Sequence, residues 1–220
     1  MIPKAAVAIL ALFCQLTTGL WPAMPLPSAL PAQVEQETCI TLTSKECFSP
    51  HAELKTSREY GFGLGQLTVT SEFNAWQEVK RQAPALLGNW AWSDRYDATK
   101  QVQALLVMDH GNYVACMPLM HDGFNALACA LSAYNGGMGG FQADRRLCGN
   151  TKGCDPHLWF GNIELVSTKA KKPVSGYGQS FYDINRSYVK NILFVRSAKY
   201  RSTMQCLSQS PTKSLSPSKG

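Results

Sequence analysis

The chain reads as a mainly α-helical protein of the α+β kind with a single folded domain, and three observations lead there. Its composition is ordinary for a globular protein, with 45% hydrophobic and 16% charged residues in 220, enough for one core that does not depend on staples. Segments 71–82, 97–113, 125–133 and 183–195 read as helices, with apolar residues at helical spacing or a capping side chain ahead of them. Glycines gather in short turns at 61–65 and 136–140, and there is no internal repeat.

Taken in order, Lys4 is followed by no charged residue until Glu35. A basic start, an apolar run over 5–13 and small residues at 29–32 describe a secretory signal. Residues 5–26 are long enough to span a bilayer, but Gln15, Gly19 and Pro22 make a poor permanent anchor. Residues 1–34 are therefore expected to be a signal peptide or signal-anchor with a linker, the proline-rich stretch 22–36 supplying the linker. Residues 35–200 form the folded domain. Ser71 caps a helix with Phe73 and Trp76 on its apolar face, ended by Pro84. Asp97 caps the next, where Val102, Leu105, Leu106 and Tyr113 recur. The small-residue run 124–131 is a buried helix, 145–159 a cysteine-bearing excursion, and Gly176-Tyr177-Gly178 leads into the last helix. Residues 201–220, rich in Ser, Pro and Lys, are expected to be a disordered tail.

Eight cysteines fit an oxidising, exported destination. Cys148 and Cys154 flank a short loop suited to a disulfide ring, and Cys39 and Cys47 bracket the approach to Glu46. Removal of Cys14 with the leader would leave one thiol unpaired. No Cys-x-x-Cys occurs and the four histidines lack metal spacing, so neither a metal nor another cofactor is expected. The net charge of +6 suits an anionic polymer; without a helix-turn-helix pattern or an aromatic–basic repeat, nucleic acid is not expected as a partner.

Three blocks carry chemistry. The first, 46–70, runs from Glu46 to Gly61-Phe62-Gly63-Leu64-Gly65-Gln66. The second is Ala133-Tyr134-Asn135-Gly136-Gly137, and the third Asn185-Arg186-Ser187-Tyr188-Val189. In this order they resemble the motif set of soluble lytic transglycosylases and goose-type lysozymes, in which a catalytic glutamate precedes a Gly-Leu-Met-Gln turn, an Ala-Tyr-Asn-x-Gly block and an Arg-x-Tyr-Val helix. The resemblance covers about 39–196 and implies a lysozyme-like domain with the glycine-rich turn beside the catalytic helix. It further implies peptidoglycan glycan strands as substrate, a periplasmic or membrane-tethered location, and contact with the inner membrane through the N-terminal segment.

Cleavage of a β-1,4 glycosidic bond needs an acid that is still protonated near neutral pH, which partial burial provides. In the resembling family the acid stands about twenty residues before the turn glutamine and is followed by Ser-x-Phe-Asn-Pro-x-Ala. Glu46 stands 20 residues before Gln66 and precedes Cys47-Phe48-Ser49-Pro50-His51-Ala52, so Glu46 is expected to be the acid, with Glu59 in reserve and Glu53 too close to the turn. The resemblance further implies that Gln66 bonds the N-acetyl sugar, that Tyr134 and Asn135 line the cleft, and that Tyr188 lies beside Glu46. Trp90 and Trp92 are core residues or sugar-stacking aromatics. Where goose-type enzymes carry candidate aspartates, this chain has Ser57 and Thr68. One glutamate suffices if the C6 hydroxyl of the sugar attacks, so 1,6-anhydromuramic ends are expected; a hydrolytic muramidase and a non-catalytic wall-binding module are the alternatives. Cys14 and Cys47 also suggest a disulfide exchange that governs the site, as in endolysins released from a membrane tether.

Overall fold

The structure, a computed structural model, describes residues 2–56, 59–174 and 178–207. It is mainly helical with one small sheet. The helices are α1 (Ala6–Leu20), α2 (Ala29–Thr38), α3 (Ala75–Gln82), α4 (Pro84–Leu87), α5 (Ala98–Cys116), α6 (Gly123–Gly136), α7 (Met138–Gly149) and α8 (Phe181–Lys190). Strands β1 (Glu53–Lys55), β2 (Tyr60–Phe62) and β3 (Leu67–Val69) form an antiparallel sheet in sequential order, with Leu54 opposite Gly61 and Gly61 opposite Thr68.

The N-terminal expectation is corrected. Residues 2–34 do not stand apart from the domain: α1 packs on α5 and α2 and buries Ala6, Ile9, Leu10, Phe13 and Thr17, a stripe at helical spacing. At 15 residues it extends only about 22 Å, and among the described residues no helix is long and apolar enough to cross a membrane. The supposed linker becomes α2, whose Ala29 to Glu35 are all buried. Pro31 does no harm there, because first-turn N–H groups have no intrahelical partner to lose.

Around this pair the predicted helices take their places. α5 begins at Asp97, whose carboxylate accepts from the Lys100 N–H. α6, capped by Asp122, is buried along nearly its whole length and ends where Gly137 takes a φ of 77°. α3 starts three residues later than expected, capped by Asn74 in place of Ser71, which leaves Phe73 outside the helix and exposed. The last helix changes pitch: α8 ends at Lys190 and a π-helical turn continues over Asn191–Arg196. A second, smaller core joins the sheet to α3 and α4 through Phe62, Trp76, Leu87 and Trp90, while Trp92 lies at its edge, 40% exposed. At the start of the expected tail, Thr203–Leu207 form a 3-10 turn with Met204 buried; residues 208–220, and Gly176 and Tyr177 of the lead into α8, lie outside the described residues.

The eight cysteines make four disulfides: Cys14–Cys206, Cys39–Cys47, Cys116–Cys129 and Cys148–Cys154. This is compatible with an oxidising compartment. Cys14–Cys206 ties α1 to the C-terminal turn across 192 residues.

Because Phe13 is fully enclosed, Phe13→Ala is expected to lower unfolding stability by about 3–5 kcal/mol in chemical denaturation. An unchanged midpoint would mean that α1 is not part of the folded unit.

Candidate functional site

Helix α2 places two carboxylates on different faces. Glu35, 1% exposed, accepts from Arg196 Nη1 at 2.6 Å, from Lys199 Nζ at 2.7 Å and from the Tyr200 hydroxyl. Burial alone would raise its pKa, but the Lys199, Tyr200 and Arg196 contacts outweigh burial and hold it below the usual carboxylate range. Glu35 is thereby an anchor that fixes α2 against the segment following α8.

Two residues on, Glu37 faces a pocket of about 660 Å³, within the range of ligand sites. Glu37 Oε1 accepts from the Tyr188 hydroxyl at 2.5 Å. Burial pushes this carboxyl up to about 7, and the Tyr188 hydrogen bond pulls it only part of the way back. Tyr188 stacks nearly parallel on Tyr134, with ring centroids 6.5 Å apart. Burial, reinforced by the charge of Glu37, lifts both phenols well above their usual range, so both stay neutral hydroxyl donors.

Tyr134 in turn donates to Gly65 O at 2.6 Å and so ties α6 to the glycine turn. Glycine is required at 65, since a Cβ there would lie 2.6 Å from that same hydroxyl. It is required at 63 too, where φ is +75° and a Cβ would strike the Gln101 amide. Gln101 holds the turn by accepting from Leu64 N–H at 2.8 Å.

The residues expected to form the site divide as follows. Gln66, Tyr134 and Asn135 come together as a ridge shared by the first pocket and a neighbouring one of about 570 Å³. Gln66, with a φ of 44°, uses both amide hydrogens on its own turn, donating to Ala52 O and Gly63 O. Only its Oε1 is left to offer a ligand, as an acceptor. Asn135 is exposed at the cleft edge and accepts from Asn185 Nδ2 at 3.2 Å. Tyr188 is next to the pocket but bonds Glu37, not Glu46.

Glu46, expected to be a buried acid, is 34% exposed in its side chain, in a loop that lines the same pocket, 3.5 Å from Lys45 Nζ; the carboxyl of this pocket whose pKa burial raises is Glu37. Glu53, on the sheet wall, accepts from Tyr60 and Tyr96, and the Tyr60 bond foremost holds its carboxyl below the usual range. It is a permanent anion rather than a proton donor. Glu59 lines both pockets. Thr68 lines them as well and donates to Gln66 O at 3.2 Å; Ser57 lies outside the described residues.

The reason Glu37 escaped the sequence reading is the Cys39–Cys47 disulfide. It pinches off an excursion at the end of α2, so that Phe48 N–H returns to donate to Thr38 Oγ1 at 3.0 Å. Glu37 stands 29 residues before Gln66 where Glu46 stands 20 before it; the eight-residue cysteine separation accounts for nearly all of the difference. Two spaced cysteines directly after a glutamate were the available signal. Also unforeseen was the buried cluster beneath α8, where Asp144 accepts from Arg186 at 2.9 Å and from Lys169 at 3.2 Å. Arg186 thus holds the 163–168 segment in place and does not line either pocket.

No known protein-family model matches this sequence, and no curated protein does. The geometry stands by itself. Removing the Tyr188 hydroxyl takes away a bond that favours the charged form of Glu37, so Tyr188→Phe is expected to move the Glu37 titration above 7, read from the carboxyl band in infrared pH titration. A shift downward would contradict the assignment of that bond.

Proposed function

We propose that the protein cleaves the β-1,4 bond between N-acetylmuramic acid and N-acetylglucosamine in peptidoglycan, with Glu37 as the acid and base. One observation carries the reading: a carboxyl raised to about 7 lining the same pocket as Gln66, Tyr134 and Asn135. Such a group is protonated often enough near neutral pH to donate to a leaving glycosidic oxygen, as the acid glutamate of lysozyme does from its apolar pocket.

With the disulfide-bound excursion set aside, Glu37-Thr38 runs on to Phe48-Ser49-Pro50-His51-Ala52. That is the order of the Glu-Ser-x-Phe-Asn-Pro-x-Ala pattern in lytic transglycosylases and goose-type lysozymes, which the chain resembles. The two contiguous pockets suit an extended polymer passing over the ridge. Thr68 lines the pocket, and in the resembling goose-type enzymes a candidate aspartate stands at that place after the turn; its absence favours attack by the C6 hydroxyl of the muramic sugar. In that step the C6 oxygen bonds to C1 while the glycosidic C1–O bond breaks. Glu37 first gives its proton to the leaving oxygen and then takes the C6 hydroxyl proton, so the group ends as it began and a 1,6-anhydro end results. Hydrolytic cleavage is the second outcome of the same site. A periplasmic location fits a wall substrate and the four disulfides. No membrane tether is included, because α1 gives its apolar stripe to the core.

Glu37→Gln is expected to reduce release of soluble fragments from purified cell wall by about 10²–10⁴-fold, whereas Glu46→Gln should keep most of the rate. Wild-type turnover should decline as pH rises through about 7, because the donor form of Glu37 is lost. Mass spectrometry of the sugar ends should show anhydro products. Full activity in the Glu37→Gln protein would sink the proposal.

A further inference from the structure

The pocket that Glu37 lines holds an ammonium group with no part in the cleavage step. Lys169 follows the 163–168 segment, which Arg186 secures through the Ile163 and Val166 carbonyls. Its side chain is 16% exposed, and among the described residues it is the one cation that lines either pocket. Its Nζ donates to Asp144 Oδ2 at 3.2 Å and to no other acceptor among the described residues. The glycines at 136 and 140 give this side chain its place. A Cβ at Gly136 would lie 3.3 Å from Lys169 Cε, and one at Gly140 would lie 3.0 Å from Nζ.

Asp144 is satisfied without this ammonium. Its carboxylate, 1% exposed, accepts from Arg186 Nη2 at 2.9 Å, from the Thr168 N–H at 2.8 Å and from the Ser167 and Thr168 hydroxyls. Two cations to one anion leave a surplus positive charge in a place largely closed to water, which is costly unless a further anion meets it. Arg186 is not the group that could meet one. Its Nε bonds Glu164 O, its Nη1 bonds Asn185 Oδ1, and its Nη2 bonds the Ile163 and Val166 carbonyls besides Asp144. Glu35 also holds two cations, Arg196 and Lys199, but those line neither pocket. At Lys169 alone does the surplus border a cavity with room for a ligand.

We propose that Lys169 binds a carboxylate of the substrate, so that the cleft prefers strands bearing a carboxylate on or next to the muramic sugar over uncharged N-acetylglucosamine polymers. The inference rests on the glycan reading of the pocket. Four carboxyls line the same pocket: Glu37 from α2, Glu46 from the loop after it, and Glu53 and Glu59 from the β1–β2 hairpin. Ionised, they repel an anionic group, which finds attraction only where Lys169 gathers with Gly136, Asn135 and Asn185. Charge therefore orients the strand as well as selecting it. Two carboxylates have this chemistry: the lactyl group of a bare muramic acid, and one on an attached stem peptide, where the lactyl group itself is an amide.

The test is calorimetric binding of three tetrasaccharides to full-length E37Q, and to E37Q carrying K169M or K169R as well. The ligands are a bare alternating N-acetylglucosamine–N-acetylmuramic acid strand, the same strand with stem peptides, and the uncharged N-acetylglucosamine tetramer. E37Q itself should bind the carboxylate strands more tightly than the uncharged tetramer, by a margin that shrinks as salt is added. K169M should weaken one or both carboxylate strands about ten-fold or more and move the uncharged tetramer by about two-fold at most. K169R should restore most of the lost affinity. K169M is expected to fold, because Asp144 keeps Arg186. A loss with the bare strand assigns the lactyl carboxylate, and a loss confined to the peptide-bearing strand assigns that of the peptide. No preference for carboxylate strands in E37Q, or equal weakening of all three ligands in K169M, would overturn the carboxylate site and leave the glycan reading standing. Failure of E37Q to bind any of the three would overturn the glycan reading, and the carboxylate site with it.

Discussion

The hydrogen bond between Tyr188 and Glu37 spans 151 residues of sequence, and it can exist only because α2 is held rigidly on its other face. Glu35 supplies that hold. Its carboxylate accepts from two cations and a tyrosine in the segment after α8, so α2 and α8 are drawn together from below while Tyr188 meets Glu37 from beside. A buried charge so fully paired is worth little as net stability, because desolvation offsets most of the attraction. Losing one partner is another matter, since the remaining charges stay enclosed. The network is best understood as setting register, with α2 unable to rotate without stranding Glu35.

From that fixed helix the rest of the site follows by contact. Tyr188 stacks on Tyr134, Tyr134 bonds the carbonyl of Gly65, and Gln101 secures the other side of the same turn. The chain of contacts runs α2, α8, α6, glycine turn, with each link made by a buried or half-buried group. A half-buried glutamate with a raised pKa would be a liability in a purely structural protein. Here it opens onto a pocket and titrates at about 7, which is what the proposed acid needs.

Much of this was legible in the sequence, for physical reasons that can be named. Asp97 marked the start of α5 because a short side chain there can satisfy free N–H groups. Gly63 and Gly65 marked the turn, where a side chain would collide with Gln101 or Tyr134. Tyr134, Asn135 and Gln66, singled out by the motif resemblance, lie together along both pockets. What failed were features whose meaning depends on distant partners. The apolar run of α1 looks the same whether it enters a membrane or a protein core, and only its stripe against α5 decides. Pro31 suggested a linker, yet in a first helical turn it breaks no bond. Glu37 was hidden by an excursion that only the Cys39–Cys47 bond reveals as an insertion.

The proposed catalysis by Glu37 requires that a glycan be seated against it. A crystal structure of the Glu37→Gln protein soaked with a muramic-acid-containing oligosaccharide would locate that glycan directly. The expected result is a scissile oxygen within hydrogen-bond distance of the residue 37 amide, with sugars on both sides of the Gln66–Tyr134–Asn135 ridge. A glycan whose glycosidic oxygens all lie nearer Glu46, or one bound outside both pockets, would contradict the assignment.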